Sequence, residues 1–547
     1  MSGVVLRSVV AAMRHTPARH VVARVLRAQL GIDALAAFPV EMCAELPQSF
    51  APIAARTDHH RSSAELAPPS LPETASTSAL ASAYGAGGLT PTDVVERVIH
   101  AAGRLGEQTP SMNPFYALRS AQALADARAS AQRHASGRSL GPLDGVVVPV
   151  KEEVDVAGLP TRLGTGWMAD TPAERDSVVV SRLRAAGAIV VGNTVMTEYG
   201  MSPLGVNPHR SMPRNVHAPD RLAGGSSTGS TVAVGLGLAP VALGTDGGGS
   251  IRIPAAYNGL FGLKPTYGRV PLTGHGAVAG SSVVHIGPIA STTLGLAHFL
   301  EAAAGADAGD VMSLLQPPLA RGELTNAVGR GVKGLVIGVD EEQWARAPEE
   351  LAAPGRAALA ALERDGARLV TVRSRLAHHA SAIGYLTIGI EAFAALRLVR
   401  THLGDVAPDL QLTLAGLETF RPDDYVIGQR LRGELRRETA RLLAEVDVLA
   451  LPTTANVAPP ITAAEAHSGI VDPPALDAAS RYVYVGNLTG IPCGTAPVGT
   501  HEGLPVGLQI LGDAWDEACV LQVLGHLERI GIARARRPTG YVDVLTH

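Results

Sequence analysis

Cysteine and aromatic side chains are scarce in this chain of 547 residues, and each scarcity removes a class of function. The three cysteines, Cys43, Cys493 and Cys519, are odd in number, far apart and without metal-ligand spacing, which speaks against a disulfide framework and against a zinc site. A reducing, cytoplasmic setting fits that usage. Aromatic residues make up 4% of the chain and the net charge is −4, so neither base-stacking platforms nor a basic field is provided, and no nucleic-acid partner is expected. The first residues lack an apolar signal core followed by a small-residue cleavage site, so no secretion is expected. The longest uncharged run, Leu222 to Thr245, makes a poor membrane span: its first part is the small, polar LAGGSSTGST, and Pro240 interrupts its second. A glycine-rich loop leading into a buried helix and strand accounts for it better.

What is present is a composition that is 46% hydrophobic and 18% charged, enough to bury a large core. Short β-branched runs recur from about residue 77 onward: VVVPV (146–150), AIVVG (188–192), LVIGV (335–339), LVTV (369–372), VDVLAL (446–451) and VGLQIL (506–511). Helical patterns such as residues 348–366 separate them, which predicts a layered α/β domain around a largely buried mixed sheet. Residues 77–547 show no second linker and read as one catalytic domain, whereas residues 1–76 read as a helical extension and linker. Within the extension, Thr16-Pro17 is a helix-start signal, and Val22, Val25, Leu26 and Leu30 follow at helical spacing. Five arginines precede the first acid, Asp33. This helix is expected to pack on the body or on a second copy in a homodimer, in preference to a membrane surface. Residues 47–76, rich in Pro, Ser and Ala, read as a strap.

The chemistry concentrates in residues 141–271. In GTDGGGS, successive glycines let the backbone turn tightly and aim the amides of Gly247, Gly248, Gly249 and Ser250 into one small space, as an oxyanion hole requires, with the Ser250 hydroxyl as attacking group. A phosphate loop is disfavoured, because no Gly-Lys-Ser/Thr follows. The GSSTG segment matches a nucleophile-elbow pattern centred on Ser227, but the turn-rich NVHAPDRLAG precedes it where an elbow needs a strand, and no histidine stands out as its base. Capping of the following helix is the simpler use of Ser226 or Ser227. Lys151 ends the run VVVPV and precedes Glu152-Glu153, so a salt bridge to those neighbours is one reading. The other is a neutral base, which a lysine held among apolar groups can be and an arginine cannot. Of 46 Lys and Arg residues three are lysines, Lys151, Lys264 and Lys333, and two of those lie in this region.

Taken together, the lysine after a strand, GGSS, TDGGGSIRIP and GLFGLKPTYGRV resemble the amidase signature family, as do LPTTANVAPPI and NLTGIPCGTAPVG farther on. The similarity spans roughly residues 77–540. It implies the amidase signature fold, a large twisted mixed β-sheet covered by helices on both faces. It also implies a catalytic Ser250, Ser226 and Lys151, with Ser226 following Gly225 through a cis peptide. Asp246 and Arg252 would pair beside the oxyanion loop, Ser227 would support it, and Tyr199, Gly200, Gly225 and Thr245 would contact substrate. Thr228 stands where the family usually has glycine, and Glu152 where aspartate is common; neither change removes a catalytic group. The implied activity is hydrolysis of a small-molecule carboxamide or related C–N bond (amide, anilide, carbamate or hydrazide), with no cofactor and no metal. Two alternatives share these residues or this fold: the amidase subunit of a tRNA-dependent amidotransferase, and a non-catalytic binding protein. The bulky apolar stretch at residues 383–399 favours an aryl or aliphatic acyl group over a charged one.

Overall fold

The computed structural model describes residues 1–13, 16–39, 50–56, 75–276 and 281–546. Among the described residues, eleven strands form one mixed sheet: β1 (Phe115–Leu118), β2 (Val150–Lys151), β3 (Gly192–Thr194), β4 (Val241–Asp246), β5 (Phe261–Lys264), β6 (His285–Ala290), β7 (Val336–Val339), β8 (Arg368–Thr371), β9 (Val448–Pro452), β10 (Cys493–His501) and β11 (Leu504–Gly512). Their spatial order is β1-β3-β2-β4-β6-β5-β10-β11-β9-β7-β8. Strands β3, β2 and β4 run parallel, as do β8, β7 and β9, and the strands between pair antiparallel. Helices cover both faces. A side chain on Gly494 of β10 would meet Val520 and Leu524 of one helix, whereas one on Gly262, on the opposite face, would meet Ile251 and Ala255 at another.

The β-branched runs read from the sequence are strands for a physical reason: both faces of this sheet are buried, so continuous apolar stretches fit it. Two of them are shorter than their apolar runs. Val146–Val148 and Ile189 contribute a parallel bridge at Val147 and two backbone hydrogen bonds, and regular pairing starts at Val150 and Gly192. Strands β5, β6 and β10 escaped the sequence reading because glycine and proline punctuate them, which ordinarily argues against a strand interior. Here close packing demands the glycine: a Cβ on Gly287 of β6 would lie 2.2 Å from the carbonyl oxygen of Leu263.

The run Leu222–Thr245 is a loop, the helix Thr228–Gly235 and then β4, as expected. Among the described residues, no helix is long and apolar enough to cross a membrane. The extension carries two helical elements more than its periodicity announced, α1 (Gly3–Ala12) and the single turn α3 (Ile32–Leu35), on either side of the expected helix, α2 (Thr16–Gln29). Leu6 and Met13 pack with Leu412, and Ile32 and Leu35 join the main core. Arg27 of α2 bonds Asp424 at 2.5 Å and Arg19 bonds Glu418 at 3.0 Å. The backbone of Gly3 donates to Ser468 Oγ at 2.8 Å. Most of the strap expected over residues 47–76 lies outside the described residues.

Candidate active site

Strand β2 ends at Lys151, whose side chain is fully buried, as are those of Val146, Val147, Val148 and Val150 before it. The ammonium nitrogen has three partners at 2.7 Å: Ser226 Oγ, Thr245 Oγ1 and Glu153 Oε1. Burial lowers the proton affinity of Lys151, and the Glu153 carboxylate opposes this without cancelling it. Glu153 is itself buried; burial would push its carboxyl up, but Lys151 first and His275 second hold it well below the usual carboxylate range. Thr245 donates its hydroxyl hydrogen to the same Glu153 oxygen. Glu152, by contrast, turns to Arg210 at 3.0 Å. Lys151 thus touches both an acid of its own loop, Glu153, and the Ser226 hydroxyl.

The bond between Gly225 and Ser226 is cis. A Cβ on Gly225 would lie 3.1 Å from the backbone of Gly205 and Ser202, so no other residue fits there without displacement. Neither serine caps the helix Thr228–Gly235. Ser227 occupies the cap position without a side-chain cap bond. Its hydroxyl donates to the Thr245 carbonyl at 3.1 Å and accepts from the Thr245 amide at 3.2 Å. That locks the helix start to the end of β4 and holds the Ser227 hydroxyl between two backbone groups.

Beyond β4, Asp246 and Arg252 pair bidentately, at 2.9 Å from Nε and 3.0 Å from Nη2. Both are fully buried. Arg252 also donates to Gln509 at 2.5 Å, to Asn487 at 2.6 Å and to the Val483 carbonyl at 2.9 Å. Burial alone would raise the Asp246 carboxyl; Arg252, with Asn487, holds it below the usual range. Breaking such a buried pair costs about 3–5 kcal/mol, because the surviving charge is left in the interior without its counter-charge. The pair shapes the loop directly, since Asp246 accepts from the amides of Gly249 at 2.7 Å and Ile251 at 3.2 Å. Gly249 thus corrects the sequence reading of the oxyanion hole: its N–H is spent on Asp246, which leaves the amides of Gly247, Gly248 and Ser250 as candidates. Side chains are excluded here too, because a Cβ on Gly248 would meet the Tyr484 ring at 2.7 Å.

Ser250 and Gly248 open onto a cavity of about 190 Å³. Its walls include Met201, Tyr385, Ile388, Leu417 and Phe420, and they reach the extension at Leu26 of α2 and at Leu30 just past its end. Gly416 permits that approach, since a Cβ there would lie 2.5 Å from Leu26. Arg27 steadies the same wall, its guanidinium 5.6 Å above the Phe420 ring. Asp409 also borders the cavity, and burial pushes its carboxyl up to about 6.

Three expected substrate contacts fall elsewhere. Tyr199 adopts a left-handed backbone, φ 51°, and its ring joins an apolar cluster with Leu163, Ala392 and Leu396; Gly200, its neighbour, lines the cavity instead. Thr245 belongs to the Lys151 network, and Gly225 is sealed behind Gly205. Lys264 has a structural place, donating to the carbonyls of Ile491 at 2.6 Å and Pro265 at 3.0 Å, with burial lowering its proton affinity to about 8. The sequence reading missed Leu26 and Leu30 as cavity residues. Their i, i+4 spacing on an amphipathic helix was a signal for packing, with nothing to say that a cavity lay beneath.

The family model described as Amidase matches residues 93–521. The chain is 35% identical over 480 residues to a fatty acid amide hydrolase of Medicago truncatula, covering 85% of this chain and 77% of that one. It is 34% identical over 482 residues to a glutamyl-tRNA(Gln) amidotransferase subunit of Chloroflexus aurantiacus, covering 83% and 96%. The solved peptide amidase of Stenotrophomonas maltophilia superimposes with a TM-score of 0.73 at 27% identity, covering 86% of this chain and 99% of that one.

Proposed function

The chain belongs to the amidase signature family and is an amide hydrolase, and from that premise we propose that Ser250 is its nucleophile, with Ser226 and Lys151 as the proton relay. The observation that carries this reading is the 2.7 Å contact between a buried Lys151 amine and Ser226 Oγ, beside a cavity onto which Ser250 opens. Ser250 Oγ attacks the carbonyl carbon and passes its proton to Ser226 Oγ, while the Ser226 proton moves to the neutral Lys151 amine. The carbonyl π electrons shift to oxygen, where the amides of Gly247, Gly248 and Ser250 receive the charge; one such donor contributes roughly 3–4 kcal/mol to the transition state. The C–N bond breaks as the proton returns through Ser226 to the departing nitrogen. Water then attacks the Ser250 ester, giving the carboxylic acid and free Ser250. A fluorophosphonate probe is expected to label the native enzyme, and peptide mapping is expected to find the label on Ser250. A native enzyme left unlabelled would revive the non-catalytic binding protein.

The acyl group is proposed to be aliphatic or aryl. The largely apolar walls, from Met201 to Leu26 and Leu30, support this. Each methylene moved from water into such a wall contributes about 0.8 kcal/mol, or roughly a fourfold gain in kcat/KM per added carbon until the cavity is full. A series of p-nitroanilides from acetyl to decanoyl is expected to show that climb, and Leu26→Trp is expected to halt it at a shorter chain. A flat series in the native enzyme would refute the assignment. Glutaminase activity that appears only with a partner protein would instead identify the amidotransferase component, the reading that the second relative keeps open.

The same reading treats residues 1–76 as an extension of the catalytic domain, 77–547, and the protein as a cytoplasmic homodimer. The described Cys493 is a buried thiol outside any disulfide, which suits a reducing compartment. Val4, Val5, Val21 and Val25 leave an exposed apolar face on α1 and α2, which supports a second copy as its cover. The double variant Val21→Asp, Val25→Asp is expected to halve the mass seen by light scattering. A native protein that is already monomeric would end the dimer reading.

A further inference from the structure

The relay from Ser250 to Lys151 leaves one charged group without a task. Glu153 is buried, it touches Lys151, and ordinary charge balance does not require it, because a neutral lysine needs no counter-ion. The loop after β2 nevertheless turns its carboxylate back under the amine. Its own backbone is fixed there, with the Glu153 carbonyl accepting from Gly276 at 2.7 Å and the next residues crossing to residues 274–275 through a bridge at Val154.

Hydrogen counting explains the placement. A neutral amine has two N–H donors and one lone pair. Lys151 has three oxygen neighbours at 2.7 Å. A carboxylate oxygen can only accept, so one N–H goes to Glu153. The Thr245 hydroxyl hydrogen is already spent on the same carboxylate, so Thr245 Oγ1 can only accept as well, and it takes the second N–H. Both donors are then committed, and the lone pair faces the one neighbour with a hydrogen still to give, Ser226 Oγ.

We infer that Glu153 is the positioning residue of this relay: with Thr245 it takes up both N–H groups of Lys151 and so aims the lysine lone pair at Ser226. This rests on the Ser250, Ser226 and Lys151 assignment and adds a fourth side chain to it. The negative charge of Glu153 favours the protonated, inactive lysine, so orientation is obtained at the expense of activity on the acid side. The other charged or titratable groups facing the pair are Asp246, which Arg252 neutralises, and the His275 ring, whose Nε2 lies 3.7 Å from Glu153 Oε1.

The test is the pH dependence of Ser250 labelling by a fluorophosphonate, which needs no knowledge of the natural substrate. In native enzyme the labelling rate rises with pH as Lys151 loses its proton. In Glu153→Gln the charge is gone and the side-chain oxygen remains, so the rising limb is expected to move to lower pH by at least about one unit. The plateau rate is expected to fall roughly tenfold, because the glutamine can also present its NH2 to the lysine and misdirect the lone pair. A folded Glu153→Gln enzyme whose limb and plateau both match the native ones would overturn the inference while leaving the relay standing. If the glutamine variant does not fold, Glu153→Asp decides: its carboxylate, one carbon shorter, is expected to give a smaller shift in the same direction and a lower plateau. A native limb and plateau in that variant would likewise overturn it. Native enzyme that takes no label on Ser250 would remove the relay and this inference together.

Discussion

Ser250→Ala is expected to lose turnover by on the order of 10⁴-fold or more and to take up no label, while unfolding within about 2 °C of the native protein. The size follows from the role: removing a nucleophile leaves only binding and the oxyanion donors, and the residual rate is a small fraction of the original. The intact fold follows from position. The loop is held by Asp246, Arg252 and Asn487, none of which uses the Ser250 hydroxyl, and deleting a hydroxyl at a cavity wall leaves no void in the core. Mass spectrometry after reaction with a slow ester or amide should find the acyl group on the peptide containing Ser250. The neighbouring Ser227 is the control, because its hydroxyl is held between the amide and carbonyl of Thr245 and has no free path to a substrate. An adduct on Ser227 would restore the nucleophile-elbow reading and displace Ser250.

Much of this site was legible in the residues because the chemistry is local. Glycines at 247–249 announce a backbone that must turn without side chains, and a lysine after four apolar positions announces a buried amine. What stayed hidden depends on chain crossings. Gly249 could be seen as an amide donor but not as one already used, because its acceptor, Asp246, is turned by an arginine six residues on and by Asn487 far along the chain. Tyr199 looked like a pocket residue until its left-handed backbone turned the ring into a separate apolar cluster. Thr245 carries no sequence mark of its role; only the return of β4 beside β2 brings it to Lys151. The sheet shows the same division. Its β-branched strands were readable, whereas β5, β6 and β10 hold glycines that only the proximity of another backbone or helix explains.

Lys151→Arg is expected to lower turnover by at least ~100-fold, the lower end of what a positioned general base contributes. The substitution separates the two things this residue does. As the partner of Glu153 it needs only positive charge, and a guanidinium pairs with a carboxylate at least as well as an ammonium does. As a base it must be neutral, and a guanidinium keeps its proton throughout the working range. Burial of Lys151 works in the direction that catalysis needs, since it penalises the charged form and brings deprotonation closer to neutral pH. The sign of the pH dependence follows: the active form is the deprotonated one, so activity rises as pH climbs through the lysine pKa and is lost below it. The native profile should therefore rise toward mildly alkaline pH, and the residual activity of Lys151→Arg should show no such limb. Calorimetry of the variant guards against a trivial cause, because a guanidinium is bulkier than the amine it replaces among three partners at 2.7 Å. If it unfolds early, Lys151→Met is the second variant: smaller, uncharged, unable to accept a proton, and expected to be equally inactive. A folded Lys151→Arg enzyme with near-native turnover and a native pH profile would show that the lysine serves Glu153 alone, and the relay from Ser250 through Ser226 would have to end at another base.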